Sequence, residues 1–421
     1  MSPGVPPSSK RRLVVALAVA PTLLLALPAA SDAAVVPALT SAGAPLAGAT
    51  VRAGATVSAV AAGTVQVRWV LDGAYVGADS TAPFTWTASG SSGAHVLRAR
   101  FYDAAGTQTR LQVPFSLQAS AVPLTGAVTV RDTASLVQAL SAARPGTIID
   151  LADGTYSAGT ALTIRTACTA ASPCMLRGGR GAVLSGGGTA GRYGLHLSKA
   201  SHWTVSGLTV AGAGKGVVLD SSSSNVLTGL DVHDIGDEGI HLRSASSDNV
   251  VRGTLVHHTG VRRPQYGEGI YVGSARSNWP TYSGGLADRS DRNVITGNTI
   301  WSTGAESVDI KEGTTGGTLS GNAFDGAGMS GANYADSWVD VKGNGWVVSG
   351  NRGINALLDG FQTHVAVAGW GERNVFRGNV ADTRSAGYGF RIEKPATTGA
   401  TVACDNTAAT ARAGLSNLTC R

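Results

Sequence analysis

The chain runs to 421 residues with 57 glycines, 14% charged residues and 6% aromatics. This composition suits a turn-rich β protein of two domains and disfavours a helical one. The formal net charge of +6 falls to about +3 if the basic N-terminal cluster is removed, which gives little ground for a polyanionic partner and none for nucleic acid. In chain order, Lys10, Arg11 and Arg12 precede an apolar run from Leu13 to Leu27, followed by small residues up to Ala33. That order reads as a secretory signal over residues 1–33, because the run falls short of the ~20 apolar residues a membrane span needs. A secreted, extracellular, monomeric protein without a membrane span is therefore expected. The even cysteine count favours two disulfides, Cys168 with Cys174 and Cys404 with Cys420, over metal ligation.

Residues 34–118 carry strands of alternating polarity, Val65 to Leu71, Phe84 to Trp86 and His95 to Tyr102, broken by turn signals at Asp72-Gly73 and Ala105-Gly106. Short strands at this spacing predict an antiparallel β-sandwich. The stretch resembles the immunoglobulin-like modules that accompany bacterial secreted enzymes, and it holds no catalytic constellation, so a spacer or a weak carbohydrate-binding role is expected of it. Residues 119–129 read as a linker. Beyond them, Asp132 supplies N-cap chemistry to a helix with Leu136 and Leu140 on one face, suited to cover the open end of a solenoid. The following segment, Arg144 to Tyr156, resembles the opening segment of pectate-lyase-like β-helix enzymes.

The remainder is built on a six-residue template: Tyr193 to Ser198, Lys215 to Asp220, Glu238 to Arg243, Glu268 to Gly273, Glu306 to Lys311, Ser337 to Lys342, Asp359 to His364 and Tyr388 to Glu393. Its third and fifth positions are apolar and its fourth and sixth mostly polar, the alternation of a half-buried strand. A second unit alternates with it, as in Asn225 to Gly229, Asn249 to Gly253, Asn293 to Gly297 and Asn374 to Gly378. Such units, repeating roughly every 22 to 30 residues, cannot bury an apolar face alone and must stack, which predicts an all-β, right-handed parallel β-helix (pectin-lyase-like) over residues 130–421, preceded by the sandwich. The pattern breaks between Gly273 and Arg292, and again from Met329 to Asp336, where loops holding Trp279, Tyr282 and Tyr334 leave the body. With Trp370, these could wall a groove and stack on sugar rings.

Stacked templates place their first, fourth and sixth residues in three outward ladders on an exposed sheet. The first holds Glu238, Glu268 and Glu306, the second His241, Tyr271, Asp309, Asp340, Gln362 and Arg391, the third Arg243, Lys311, Lys342, His364 and Glu393. Glutamates about 5 Å apart repel unless a cation lies between them, and a hard cation such as Ca²⁺ suits oxygen ligands from Glu268, Glu306 and Asp309. Only six lysines stand against 27 arginines, yet Lys311 and Lys342 share one ladder. Stacked lysines are expected to lower each other's pKa, which would make one of them a general base.

The run Glu306 to Lys311, with Val341 to Asn344 one coil later, resembles the chondroitinase B and alginate lyase family of polysaccharide lyases, and the chain as a whole resembles uncharacterised secreted β-helix proteins of actinobacteria. The resemblance implies Glu306 as a Ca²⁺ ligand, Lys311 as the base that abstracts the proton α to a uronate carboxyl, and Lys342 as its assistant. Two positions depart from the family: its second glutamate is Gly304 here, and its usual arginine is Lys342. His241, Arg243, Tyr271, His364, Arg391 and Trp370 are the expected substrate-binding residues on an acidic polysaccharide. Two other readings stay open: an inverting glycosidase working through Asp309 and Asp340, whose spacing on adjacent coils is compatible with inversion, and a non-catalytic surface protein that binds glycan.

Overall fold

The computed structural model describes residues 37–52, 54–90, 93–118 and 127–421. The expected signal segment and residues 119–126 of the expected linker lie outside the described residues. The chain divides into two compact units, Met1–Ser120 and Ala121–Arg421.

In the first unit, Thr64–Leu71 pairs antiparallel with Gly93–Asp103, which pairs antiparallel with Gln108–Gln118. Thr50–Arg52 joins the edge of this sheet in parallel with Gln108–Gln118, and a second, four-stranded antiparallel sheet completes the sandwich. Alternation sends Val67, Trp69 and Leu71 inward, and Trp69 stacks on Trp86 at 6.4 Å between ring centroids.

The second unit is a right-handed parallel β-helix of three sheets, with eleven, nine and ten strands. The template strands form the ten-stranded sheet, and the second repeating unit lies in the eleven-stranded one. The body begins at Ala127–Val130, a strand that pairs parallel with Ile148–Leu151. A helix over Thr133–Ala142 follows, its N-cap Asp132 accepting from the Ser135 amide, with Leu136 and Leu140 buried against the first coil. Inside the coils, Leu, Ile, Val and Phe side chains stack in register, as Phe361 does on Phe390 at 5.0 Å. Both expected disulfides are formed, Cys168 with Cys174 and Cys404 with Cys420.

Between sheets, buried asparagines build two ladders. Asn225, Asn249 and Asn293 form one, and Asn298, Asn322, Asn351, Asn379 and Asn406 the other. After the first member of each ladder, whose oxygen accepts from the Trp203 or the Thr254 amide, each side-chain oxygen accepts from the asparagine of the preceding coil, and each amide donates to a backbone carbonyl, as Asn322 does to Ile295 O at 3.0 Å. A turn that must bury backbone N–H groups satisfies them this way, so the ladders fix the coil spacing.

Candidate functional site

The template sheet sets the register of the chemical residues. His241 pairs with Tyr271, Tyr271 with Asp309, Asp309 with Asp340, Asp340 with Gln362, and Gln362 with Arg391. The expected second ladder is therefore present in order.

Its environment differs from the expectation. Glu268, Glu306, Asp309, Asp340, Tyr271 and His241 are all buried, and the Lys311 side chain is only 13% exposed. Neighbouring coils cover one another's side chains, and three loops wall the sheet. The 274–291 insertion forms a 3-10 turn at Arg276–Asn278 and a short helix at Trp279–Tyr282. It is held down by Glu312, which accepts from the Arg276 amide at 2.6 Å, and by Asp288, which accepts from the Ser244 and Ala245 amides of the body at 2.9 and 2.8 Å. The other two walls are the turn at Pro264–Tyr266 and the loop carrying Ala332–Tyr334.

Two cavities result, of about 510 and 520 Å³. Lys311, Glu268 and Asn333 line both, so the two form one groove with Lys311 at its middle. Asp309, Asp340, Lys342, His364 and Arg391 line one half. His241, Arg243, Tyr271 and Tyr282 line the other. Trp370 lines neither; its ring lies under the Arg289 guanidinium at 5.8 Å. Arg243 is itself buried: it pairs with Asp220 at 2.7 Å and lies 4.1 Å over the Tyr282 ring, so it props the insertion against the sheet.

Charges alternate across three coils. Lys311 Nζ lies 2.5 Å from Asp309 Oδ2, and Lys342 Nζ lies 2.8 Å from Asp309 Oδ1. Lys342 also pairs with Asp340, whose other oxygen accepts from His364 Nδ1 at 2.8 Å. Burial opposes both ammonium charges, but the Asp309 carboxylate, with Glu306 for Lys311 and Asp340 for Lys342, outweighs it and raises both pKa values. Lys311 does lower the pKa of Lys342, as expected of stacked lysines, but Asp309 between them and Asp340 beside Lys342 outweigh that effect. Asp340, buried but paired with Lys342 and His364, is held well below the usual carboxylate range.

The glutamate ladder splits in two. Glu238 pairs with Lys215 and faces His241, and despite burial it stays low. Glu268 and Glu306 lack such partners. Burial and then the neighbouring carboxylates push Glu306 up to about 7 and raise Glu268 well above its ordinary value. Oxygens of Glu268, Glu306 and Asp309 lie within 4.8 Å of one another, and Glu268 Oε2 is buried without a hydrogen-bond partner. This donor set fits a hard cation, since the oxygens converge and one lacks any other partner.

Gly304 has a structural reason. A Cβ there would meet the Pro264 Cα and O at 2.8 Å each, so the wall that closes the groove leaves no room for the family's second glutamate. Tyr271 completes the centre: its ring lies 5.0 Å from Lys311 Nζ and edge-on to His241 at 4.4 Å. Burial and then the Asp309 and Glu268 charges raise the phenol's pKa, so it keeps its proton. His241 donates from Nε2 to Gly273 O at 2.9 Å, and burial lowers its pKa, leaving it neutral.

Asn333 and Asp336 were not among the expected site residues, although both line the groove. The only signal for them was the broken coil spacing at 329–336, which marks a loop but not the direction of its side chains.

A family model described as right handed beta helix region matches residues 193–380. Among solved structures, the chain is similar to the alginate lyase from Paenibacillus sp. str. FPU-7 at 38% identity, covering 70% of this chain and 98% of that one with a TM-score of 0.63. It shares its fold with a mannuronic acid specific polysaccharide family 6 lyase from human gut microbiota, at 16% identity over 69% of this chain and 66% of the other, TM-score 0.51. No curated protein sequence matches.

Proposed function

The chain belongs to the right-handed parallel β-helix polysaccharide lyases, the family of the Paenibacillus alginate lyase, and from that premise we propose that it cleaves a uronate polysaccharide of the alginate class by β-elimination at Lys311. The observation that carries this reading is the place of Lys311, shared by both halves of the groove and within reach of Tyr271, Asp309 and Lys342. A polymer lying along the groove would have sugar residues on either side of it.

In β-elimination the proton α to the uronate carboxyl leaves to a base, its electron pair forms the new C=C bond, the bond to the glycosidic oxygen breaks, and that oxygen takes up a proton. Lys311 accepts the α-proton as a neutral amine, the minority form in the substrate-free protein because Asp309 and Glu306 favour the ammonium. Lys342 stays charged and faces the negative charge that develops on the uronate carboxyl. Tyr271 is the acid for the leaving oxygen, since burial and neighbouring carboxylates keep it protonated. When bound by Glu268, Glu306 and Asp309, Ca²⁺ would supply positive charge that neutralises the uronate carboxyl and acidifies its α-proton. Glu268 and Glu306 hold that acceptor set together on adjacent coils, where burial and like-charged neighbours disfavour their bare anions.

Two consequences for pH follow. A lysine base with a raised pKa makes the rate climb from neutral toward alkaline pH, and a tyrosine acid with a raised pKa delays any fall on the alkaline side. The mature chain is taken to be secreted: both disulfides suit an oxidising compartment. Among the described residues, no helix is long and apolar enough to cross a membrane.

A panel of uronate and neutral polysaccharides, assayed in parallel for unsaturated products and for new reducing ends, with and without chelator, tests the assignment. Unsaturated product from a uronate polymer is expected. Reducing ends alone would mean hydrolysis, and silence across the panel would leave a binding protein.

A further inference from the structure

Left-handed backbone recurs at turns of this β-helix, as at Ser244, Ala245 and His258, and in the loop from Met329 to Asp336 it falls on an aromatic residue at the rim of the groove. The base of that loop is fixed: Met329 is buried in the core, and Ser330 donates to Gly304 O from both its amide, at 3.0 Å, and its hydroxyl, at 2.8 Å. The tip is held in an unfavourable conformation. Gly331, Asn333 and Tyr334 all have left-handed backbone, at φ 70°, 57° and 65°. Glycine and asparagine tolerate that region, but a bulky aromatic there is an outlier, and such outliers gather at ligand clamps.

The strain is matched by an unused surface. Tyr334 is 89% exposed, and among the described residues neither its ring nor the Asn333 amide has a hydrogen-bond, ring or cation partner. Both side chains nevertheless line the groove, Asn333 on both sides of Lys311 and Tyr334 in the half that holds Lys342 and Arg391. An aromatic ring held at a groove rim with a free face presents an apolar platform, and the C–H face of a pyranose is its complement.

We propose that residues 329–336 form a rigid finger whose Tyr334 stacks on the sugar bound beside Lys342, with Asn333 donating or accepting a hydrogen bond at the sugar bound over Lys311. The proposal rests on the uronate-polymer reading above and adds to it a residue that sets affinity on one side of the cleavage point. A stacked ring fixes the tilt of that sugar, and with it the distance from its carboxylate to Lys342. The left-handed backbone at Tyr334 is retained at a cost to stability because it aims the ring.

The test uses full-length protein with Lys311→Ala, which binds without cleaving, and alginate oligosaccharides titrated calorimetrically. Added to that background, Tyr334→Phe is expected to bind within twofold of it, and Tyr334→Ala and Tyr334→Gly roughly tenfold more weakly, the order expected for one lost aromatic contact. Tyr334→Gly, which relieves the backbone, is expected to melt at or above the background protein's temperature. Binding by Tyr334→Ala within twofold of the background overturns the proposal. So does a lower melting temperature for Tyr334→Gly, which would make the tyrosine a structural support. Failure of the background protein itself to bind any uronate oligosaccharide overturns the substrate class first, and with it the finger.

Discussion

Two stacked polar ladders run through the same β-helix, and they do opposite things. The asparagine ladder from Asn298 to Asn406 is neutral, buried and fully paired, every amide and carbonyl oxygen answered by the coil on either side. The chemical row, Glu268, Glu306, Asp309 and Lys311 drawn from three adjacent ladders of one sheet, lies deep but is charged, with an unpartnered Glu268 oxygen and pKa values moved by burial and by its own neighbours. Repetition is common to both, so repetition alone marks architecture. A buried polar row becomes a chemical site where its pairing is left incomplete and it faces a cavity.

The contrast can be broken first at Lys311. Lys311→Ala is expected to lower turnover of a uronate polymer by roughly 10²- to 10⁴-fold, the span usual for loss of a general base. Near-parent turnover by a folded Lys311→Ala protein would remove the base assignment. Because the side chain is buried in an ion pair and not solvated on an open strand, a loss of stability should accompany the change.

Asp309→Ala is next. It leaves two ammonium groups facing each other without the carboxylate between them, and a stability loss of about 3–5 kcal/mol is expected from denaturant melts at neutral pH. The same linkage sets the pH window. Lysines whose folded pKa is raised contribute stability fully present below the ordinary value of 10.5 and lost as pH rises through the higher folded values. The parent should therefore destabilise in the alkaline range more steeply than Asp309→Ala does.

In the other ladder, Asn322→Ala strands the Asn298 donors and the Ile295 carbonyl. A cost of about 1–3 kcal/mol is expected, with kcat little changed. A large fall in kcat with stability intact would mean the two ladders are less separate than their geometry indicates.

The smallest effect is expected at Glu306, measured with chelator present. Its folded pKa of about 7 lies above the ordinary 4.5, so the folded protein holds a proton that the unfolded chain releases. Stability should then fall as pH rises between those values, and Glu306→Gln should flatten that slope and raise the melting temperature by a few degrees at neutral pH while lowering activity. An unchanged slope in Glu306→Gln would show that another group carries it.

Much of this was legible in the residues. The template period gave the strands, their stacking order and the ladder from His241 to Arg391, because a parallel coil places equivalent positions side by side with no freedom in register. The cap at Asp132 and both disulfides followed from equally local rules. Trp370 shows where the pattern stops: the order of residues puts an aromatic next to a template strand, and only the fold gives it Arg289, 5.8 Å over its ring, as a neighbour.

What tertiary structure decided was depth and sign. The loops at 264–266, 274–291 and 329–336 have no period, so their paths depend on distant anchors such as Glu312, the Ser244 amide and Gly304, and only those paths turn an exposed charged sheet into a walled groove. Burial then strengthens every charge interaction within it. Whether Lys311 is made more or less acidic depends on which of its neighbours lies nearest, a matter of a few ångströms that the order of residues leaves open and that the place of Asp309 between two lysines decides.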